Sequence, residues 1–250
     1  VNSPADARKA VRQRYKDGAD VIKITATGGV LSVAKNGQNP QFTANELAAI
    51  VSTAKDYGML TAAHAHGDEG MRRAIIAGIK TIEHGTLMEP STMDLMVKYD
   101  AYLVPTISAG KAAAANAAIP GYFPEVIAKK ALEIGPRSQS TFAAAYKKGV
   151  KIAFGTDAGV SPHGDNAKEF GFMVAAGMPV MEAIAAATIT NANLLGYSDS
   201  LGQLKQGYTA DIVAVNEHPQ ANVSTLEQVV FVMKKGLIFK NQDKEVLRDY

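Results

Sequence analysis

The stretch "TAAHAHG" at residues 61–67 places two histidines, His64 and His66, two positions apart at the end of a short apolar run. Three other β-like runs carry a residue that could take part in a metal site: Lys23 lies in "VIKIT", His84 in "TIEHG" and Asp157 in "FGTDAG". Imidazole and carboxylate groups are ligands that zinc and similar divalent ions accept. These residues raise the hypothesis of a metal site, which requires that the elements carrying them bring them together.

Short β-branched runs alternate with helical stretches along most of the chain. A helix at residues 3–18 is predicted from the capping Ser3, from Pro4 at its first position and from Gly18 at its end. The next helix, in "TANELAAIVSTAKDYGM", has Thr43 as its cap and Glu46 three residues later. The elements expected to follow are strand "LTAAH", helix "DEGMRRAIIAG", strand "TIEH", helix "PSTMDLMVKYD", strand "AYLVPTI", a helical region from about 124 to 148, strand "KIAFGTD" and a mostly helical region from 166 to 195.

This alternation predicts an α/β fold with a parallel sheet, because parallel strands need helical crossovers between them. A doubly wound sheet and a (β/α) barrel both fit the rhythm, although no G-x-G-x-x-G follows a strand as a dinucleotide fold would require. Beyond Gly196 the sequence pattern changes to β-branched runs separated by turn glycines, and this pattern predicts a small antiparallel unit. We therefore predict two domains, at residues 1–197 and 198–250.

Composition excludes several function classes. A net charge of +2 over 250 residues gives no reason to expect nucleic acid or an anionic membrane as a partner. The sequence contains no run of about 18 apolar residues, so no transmembrane helix is predicted. The absence of cysteine excludes disulfides and thiolate metal sites. The opening "VNSPADARKAV" has no initiator Met and is expected to be an excised piece; a cytoplasmic location is the default, with a periplasmic or secreted one left open.

In a barrel, all parallel strands point their carboxyl ends at one rim, where active sites gather. Lys23, His64, His84 and Asp157, near the ends of four candidate strands, would converge there. Each has a structural alternative: a histidine at a strand end can serve hydrogen bonding alone, Lys23 can extend along an edge to water, and "GTDAG" can be a turn or a helix cap. The coincidence of four such positions favours the metal site.

The sequence resembles the amidohydrolase superfamily, in particular its imidazolonepropionase-like branch of metal-dependent dipeptidases and carboxypeptidases. The matching stretches occur in the family's order: "GADVIKITATGGV", "AAHAHG", "TIEHGTLM", "FGTDAG", "PHGDN", "AAGMPVMEAIAAATITNANLLG" and "LGQLKQGYTADIVAV". The resemblance implies a distorted (β/α)8 TIM-like barrel, of which about strands 4–8 are present here, with the C-terminal part of a small β-sandwich.

The resemblance also implies a binuclear centre, with two zinc ions in a complete site. Lys23 would be carboxylated and bridge the two metals, His64 and His84 would bind the second metal, and Asp157 would bind the first. Asp157 would also act in catalysis, by taking the proton of the metal-activated water and delivering it to the leaving amine.

Four further residues are expected to contact substrate. His66 is assigned to the substrate side or to orienting a ligand, with a purely structural role as the alternative. Gly28 and Gly29 are expected in a loop of the rim that lines the pocket, since glycines after a strand allow close approach of the backbone. His163, in "SPHGDN", is expected on a rim loop within reach of substrate.

The family's first-strand HxH pair does not precede Lys23 in this sequence. The resemblance therefore covers the C-terminal two-thirds of an amidohydrolase, and an N-terminal segment or separate chain bearing HxH is expected to complete the centre. The predicted function is hydrolysis of an amide bond in a dipeptide, Xaa-Pro or N-acyl amino acid substrate, by a protein expected to be a homo-oligomer. The alternatives are a cyclic amidase or deaminase, or an inactive fragment that binds at most one metal.

Overall fold

The computed structural model describes residues 1–33 and 36–242. The helices are α1 (Pro4–Lys16), α2 (Ala44–Asp56), α3 (Asp68–Ala77), α4 (Pro90–Lys98), α5 (Ile107–Ala117), α6 (Glu125–Ile134), α7 (Arg137–Lys147), α8 (Lys168–Ala175), α9 (Val180–Ala185) and α10 (Asn191–Leu194). The strands are β1 (Val21–Thr25), β2 (Leu60–Ala65), β3 (Thr81–His84), β4 (Tyr102–Val104), β5 (Lys151–Ile152), β6 (Ile212–Ala214), β7 (Phe231–Lys234) and β8 (Leu237–Asn241).

The first two helices begin where the sequence predicts, because each has a local cap. The Ser3 side chain accepts a hydrogen bond from the Asp6 N–H, and Pro4 opens α1. Thr43 and Glu46 form a reciprocal capping box at the start of α2. These bonds satisfy backbone donors that would otherwise lack a partner in the first helical turn.

Strands β1 to β5 form one parallel sheet in consecutive order. Aligned positions run across the strands in rows, one of which contains Thr25, His64, Glu83 and Val104. Because side chains alternate along a strand, the apolar residues between these rows point to the opposite face, where the helices cover them. Consecutive order with helices on one face is the arrangement of a (β/α) barrel, whereas the doubly wound sheet reverses its strand order.

The α/β fold class predicted from the sequence is confirmed, but three segments differ from the predictions. Residues 107–117 form helix α5, where the sequence predicted a strand "AYLVPTI" up to Ile107 and assigned no helix between that strand and residue 124 or so. The predicted 124–148 helix is two helices, α6 and α7, interrupted at Gly135 and Pro136 because proline disfavours a continuing helix. The mostly helical region predicted from 166 to 195 consists of several short pieces: a 3₁₀ turn (Asp165–Ala167), α8, α9, a π-helical stretch (Ala186–Thr190) and α10.

The edge of the parallel sheet beyond β5 is occupied by a side chain. The Phe154 N–H donates to Asn191 Oδ1 at 3.2 Å, and Asn191 Nδ2 donates to the Phe154 carbonyl at 2.9 Å. The amide of Asn191, at the start of α10, thus makes the pair of hydrogen bonds that a neighbouring strand would make.

The C-terminal part of the chain forms a separate antiparallel sheet in the order β6-β7-β8. Lys235 and Gly236 join β7 to β8, and both have positive φ, as a two-residue hairpin turn of type I′ requires. The predicted small antiparallel unit is therefore confirmed. The domain boundary at 197/198 stays a prediction, and residues 243–250 of the predicted second domain lie outside the described residues.

None of the helices in residues 1–33 and 36–242 combines the length and apolar character needed to cross a lipid bilayer.

Candidate metal centre

Three of the five histidines meet at the carboxyl end of the parallel sheet. The ring centroids of His64 and His66 are 4.7 Å apart, those of His64 and His84 are 4.6 Å apart, and those of His66 and His84 are 4.9 Å apart. One ring nitrogen from each residue can be chosen so that all three lie within 4.8 Å of one another. We refer to His64, His66 and His84 as the histidine cluster.

Local backbone geometry brings His84 into this cluster. His84 directly follows Glu83, so regular alternation along β3 would direct its side chain to the helix-covered face. Instead His84 has φ of 74° and leaves the extended conformation at the strand end. Asp157, after β5, also has a positive φ of 53°. Left-handed backbone at a non-glycine residue is uncommon, and it collects at functional sites where surrounding structure holds it in place.

Each imidazole of the cluster has a hydrogen-bond partner at one ring nitrogen. His66 Nδ1 lies 3.0 Å from Thr86 Oγ1, and His84 Nδ1 lies 2.7 Å from Thr106 Oγ1. His64 Nε2 lies 3.3 Å from the Gly28 carbonyl, which can only accept, so in this arrangement that nitrogen carries the proton. Such bonds fix the ring orientation and leave the second nitrogen of each ring for a ligand.

Burial keeps the cluster in its neutral form. Burial is the largest cause of the lowered pKa of His64. It also lowers the pKa of His66 to about 3 and holds the pKa of His84 well below its ordinary value. The neighbouring charge of Lys23 lowers the pKa of His64 and His84 further, while Asp157 acts in the opposite direction on His64. A neutral imidazole has a lone pair to offer a metal, which a protonated one lacks.

The histidine cluster forms one wall of a cavity of about 290 Å³. Asp157 and Gly29 line the same cavity. Small and apolar side chains also line the cavity; they come from the loop after β1, from α5, from the end of α6 and from the loop after β5, and they are Val30, Ala109, Ala113, Ile134 and Val160. A few polar groups within a mostly apolar lining is the usual construction of a site for a small organic ligand.

The residues singled out from the sequence fall into three groups. His64, His66, His84, Asp157 and Gly29 line the cavity. Lys23 and Gly28 lie beside it: Lys23 is exposed on the same sheet face as His64, and Gly28 contacts the His64 ring through its carbonyl. His163 is exposed and does not line the cavity.

The sequence did not point to the residues that support the cluster. Thr86 and Thr106 bind the rings of His66 and His84 from neighbouring segments. Glu83 is half-buried on the sheet face of His64, and burial raises the pKa of its carboxyl even though Thr81 donates a 2.6 Å hydrogen bond to it. Neither contact has a local signal, because Thr86 lies 20 residues from His66 and Thr106 lies 22 residues from His84.

The donor set fits a divalent transition metal. Zinc–imidazole bonds of about 2.0–2.1 Å bring two nitrogen ligands of one ion to within about 4 Å of each other, close to the 4.8 Å spread of the cluster. Neutral rings and hydroxyl partners at the opposite nitrogen are both features of metal-binding histidines. Asp157 offers carboxylate oxygens as it stands, whereas Lys23 would add oxygen donors only if it were carboxylated, since a protonated amine has no lone pair.

Comparison with known families agrees with this geometry. The Amidohydrolase family matches residues 2–238 of the chain. The chain belongs to the amidohydrolase family. Among curated proteins, this amidohydrolase is 35% identical over 240 residues to ochratoxinase from Aspergillus niger, with 94% of this chain and 49% of that protein covered.

Solved structures of related proteins have the same fold. A Xaa-Pro dipeptidase with methionine bound in its active site is 57% identical with a TM-score of 0.94, over 96% of this chain and 59% of that one. The crystal structure of A. niger ochratoxinase is 33% identical with a TM-score of 0.84, over 96% of this chain and 55% of that one. This amidohydrolase spans about half the length of the curated relatives that it matches.

Proposed function

We propose that this amidohydrolase contributes to the metal-dependent hydrolysis of an amide bond in a small substrate. The observation that carries the proposal is the histidine cluster, whose three neutral rings offer ligand atoms within 4.8 Å of one another beside Asp157. A bound divalent ion would supply Lewis acidity and a water of lowered pKa. The chain's own residues would hold the ion, orient the substrate and move the proton.

Asp157 is proposed as the catalytic acid–base. Its carboxylate lines the cavity that the histidine cluster forms, and its position after β5 places it at the same end of the sheet. A carboxylate there can accept a proton from the attacking water and deliver it to the amine that leaves. The positive φ at Asp157 supports the assignment, because such backbone is retained where neighbouring structure enforces it.

The finer composition of the centre is also part of the proposal. Two zinc ions would be bound in a complete site, with carboxylated Lys23 between them. Lys23 lies on the sheet face of His64, and its charge lowers the pKa of His64 and His84, which supports a place for its amine beside the centre. An HxH-bearing segment or partner chain would complete the ligands of the first ion, to which this chain brings Asp157 and one carbamate oxygen, and a homo-oligomer is expected.

The substrate is proposed to be a dipeptide, an Xaa-Pro compound or an N-acyl amino acid with an apolar side chain. The apolar residues that line the cavity with the histidine cluster support this choice, because they would take such a side chain out of water. Xaa-Pro dipeptidase and ochratoxinase, the two named relatives, suggest amide substrates of this size. Gly28, Gly29 and His66 would lie near the substrate, and His163 would reach it only from the exposed rim.

Metal content and hydrolysis, measured separately, test the proposal. The chain would be freed of metal, loaded with Zn²⁺ or Co²⁺, analysed for ions per chain and assayed with Met-Pro and N-acetylmethionine. We expect about one firmly bound ion and little turnover, with a second ion and turnover appearing when an HxH-bearing segment is supplied. The variant His84→Ala, which lacks one proposed ligand, is the control for both metal content and hydrolysis.

Three outcomes would change the proposal. Two tightly held ions with full turnover by the chain alone would contradict the need for an HxH segment. Hydrolysis of cyclic amides in place of dipeptides would favour the cyclic amidase or deaminase alternative. Absence of metal binding in the wild-type chain, alone and with the segment, would favour the inactive alternative.

A further inference from the structure

A buried carboxylate at the start of α5 has no role in the chemistry described above. Glu169 on α8 has no exposed surface. Its two carboxylate oxygens accept hydrogen bonds from the Ile107 N–H at 2.8 Å and from the Ser108 N–H at 2.7 Å. These are the first two residues of α5, so Glu169 caps this helix from 61 positions away in the sequence.

The residue just before the helix, Thr106, does not cap it. Thr106 has φ of 46° and ψ of 45°, and its side chain makes no capping bond. A β-branched residue rarely adopts this left-handed conformation, so the surrounding structure must hold it there. Its hydroxyl instead lies 2.7 Å from His84 Nδ1, which makes Thr106 the link between the start of α5 and the histidine cluster.

The same junction also reaches Asp157. Ser108 Oγ donates to the Thr156 carbonyl at 3.3 Å, and Asn166 Nδ2 donates to Thr156 Oγ1 at 3.0 Å. Thr156 directly precedes Asp157, whose backbone has a positive φ. Two residues of the candidate site, one at the end of β3 and one in the loop after β5, thus depend on one helix end.

We propose that Glu169 is a positioning residue for the metal centre. By fixing the first two N–H groups of α5, it holds Thr106 in the left-handed conformation that presents its hydroxyl to His84, and it holds Ser108 against the segment that carries Asp157. The inference rests on the proposed metal centre, because its consequence is the presentation of His84 as a ligand.

A simple capping role would predict a loss of stability and nothing else. The chain contains a matched control, since Glu46 also caps a helix, α2, through hydrogen bonds with Thr43. Glu46 lies outside the cavity lining. Glu169→Gln and Glu46→Gln make the same change at two helix starts, of which only the first is connected to the histidine cluster.

The experiment uses the full chain and Co²⁺ as the probe. Co²⁺ affinity would be measured by competition with a chromophoric chelator. The visible spectrum of the Co²⁺ form would report the ligand field, and thermal unfolding of the metal-free protein would report its stability. Glu169→Gln should weaken Co²⁺ binding about 10- to 100-fold, the range seen when partners of metal-binding histidines are lost, and should change the spectrum. Glu46→Gln should lower stability and leave affinity and spectrum unchanged.

The route through Thr106 is tested by a double-mutant cycle. Thr106→Val should weaken Co²⁺ binding like Glu169→Gln, Thr106→Ser should retain most of the affinity, and the double variant Glu169→Gln/Thr106→Val should lose less than the two single losses combined. Full additivity would overturn the route. Glu169→Asp, which retains the charge but withdraws it by one methylene, replaces Glu169→Gln if that variant does not fold.

Failure of the metal centre can be told apart from failure of this inference. If the wild-type chain binds no Co²⁺, the proposed function fails, and the ring nitrogen signals of His84 in the metal-free protein still report its orientation by NMR. A folded Glu169 variant with unchanged Co²⁺ affinity and spectrum, or with unchanged His84 signals in the metal-free protein, would overturn the proposal.

Discussion

The two faces of the parallel sheet differ in their residues: one face packs in the apolar core, and the other carries residues of the candidate site. On the face covered by helices, Ile24 is 9% exposed, Ile152 is 6% exposed, and Ala63, Ile82 and Leu103 have no exposed surface. On the opposite face Lys23, Thr25, His64 and Glu83 are half-buried or exposed, although their neighbours Ala62, Thr81 and Val104 are buried. Consecutive residues of a strand thus have different roles, because their side chains point alternately to the two faces of the sheet.

His84 shows how a residue can leave one face for the other. By its place in β3 it belongs to the helix-covered row, yet its left-handed backbone ends the strand and its ring joins His64 and His66. The apolar face tolerates no such polar group without a partner, since an unpaired buried polar group destabilises the fold. Changes on the two faces should therefore give different effects, and the following predictions test that difference.

The largest expected effect is on the apolar face. Ile82→Ala removes a fully buried side chain from the core and should lower the free energy of unfolding by about 2–5 kcal/mol. Val21→Ala, at a side chain 36% exposed on the open face, should change it by less than about 0.5 kcal/mol. Urea unfolding measures both. Equal losses at the two positions would contradict the division between faces.

On the open face the effect should appear in metal binding. His84→Ala should weaken binding of Zn²⁺ or Co²⁺ at least about 100-fold, or roughly 2.7 kcal/mol, because a ligand and its ring orientation are lost together. The metal-free stability should change by no more than about 1 kcal/mol. His218→Ala, at an exposed histidine outside the cluster, is the matched control and should change neither quantity. Retained affinity in His84→Ala would remove this residue from the centre.

Acid should destabilise the metal-free protein through the histidine cluster. Burial lowers the pKa of His66 to about 3 in the folded state, against an ordinary value of 6.5, so the unfolded chain binds more protons between these values. Stability should therefore fall progressively as the pH decreases from about 6.5 towards 3. His66→Asn should reduce this dependence, as measured by urea unfolding at several pH values. An unchanged pH dependence in the variant would show that His66 is protonated as easily when folded as when unfolded.

The smallest effect is expected in the loop that covers the cavity. Lys130 Nζ donates hydrogen bonds to the carbonyls of Gly29 and Ser32, at 3.0 and 2.6 Å. Lys130→Met should increase amide hydrogen exchange in residues 29–33 by about tenfold, because these bonds help to close the loop. Lys129→Met, at an exposed neighbour on the same helix, should not change it. Equal exchange in both variants would assign the loop's order to other contacts.

Local signals in the sequence were sufficient for much of the fold. Ser3 with Pro4 and Thr43 with Glu46 marked α1 and α2 because each cap is made within one helical turn. Helix α5 was missed because its cap is not local: Thr106 is left-handed and the capping carboxylate comes from Glu169. A sequence pattern cannot show a hydrogen bond between segments whose contact depends on the completed fold.

The same limit applies to the candidate site. The strand-end rule placed His64, His84 and Asp157 at one cavity, since parallel strands share a direction. It did not predict that His66 would join the cluster, because the orientation of a side chain after a strand end depends on the loop that follows. Thr86 and Thr106 were missed for a related reason, as each contacts its histidine across neighbouring segments.

The pairing of Asn191 with Phe154 has a consequence for the ageing of the protein. One side-chain amide provides both a donor and an acceptor to the backbone beside β5, and so it blocks the addition of a foreign strand at that position. Spontaneous deamidation to aspartate would leave an acceptor facing the Phe154 carbonyl, and the two oxygens would repel each other. The attachment of α10 beside β5 would then weaken, so a slow chemical change at a residue remote from the histidine cluster would lower the stability of the stored protein.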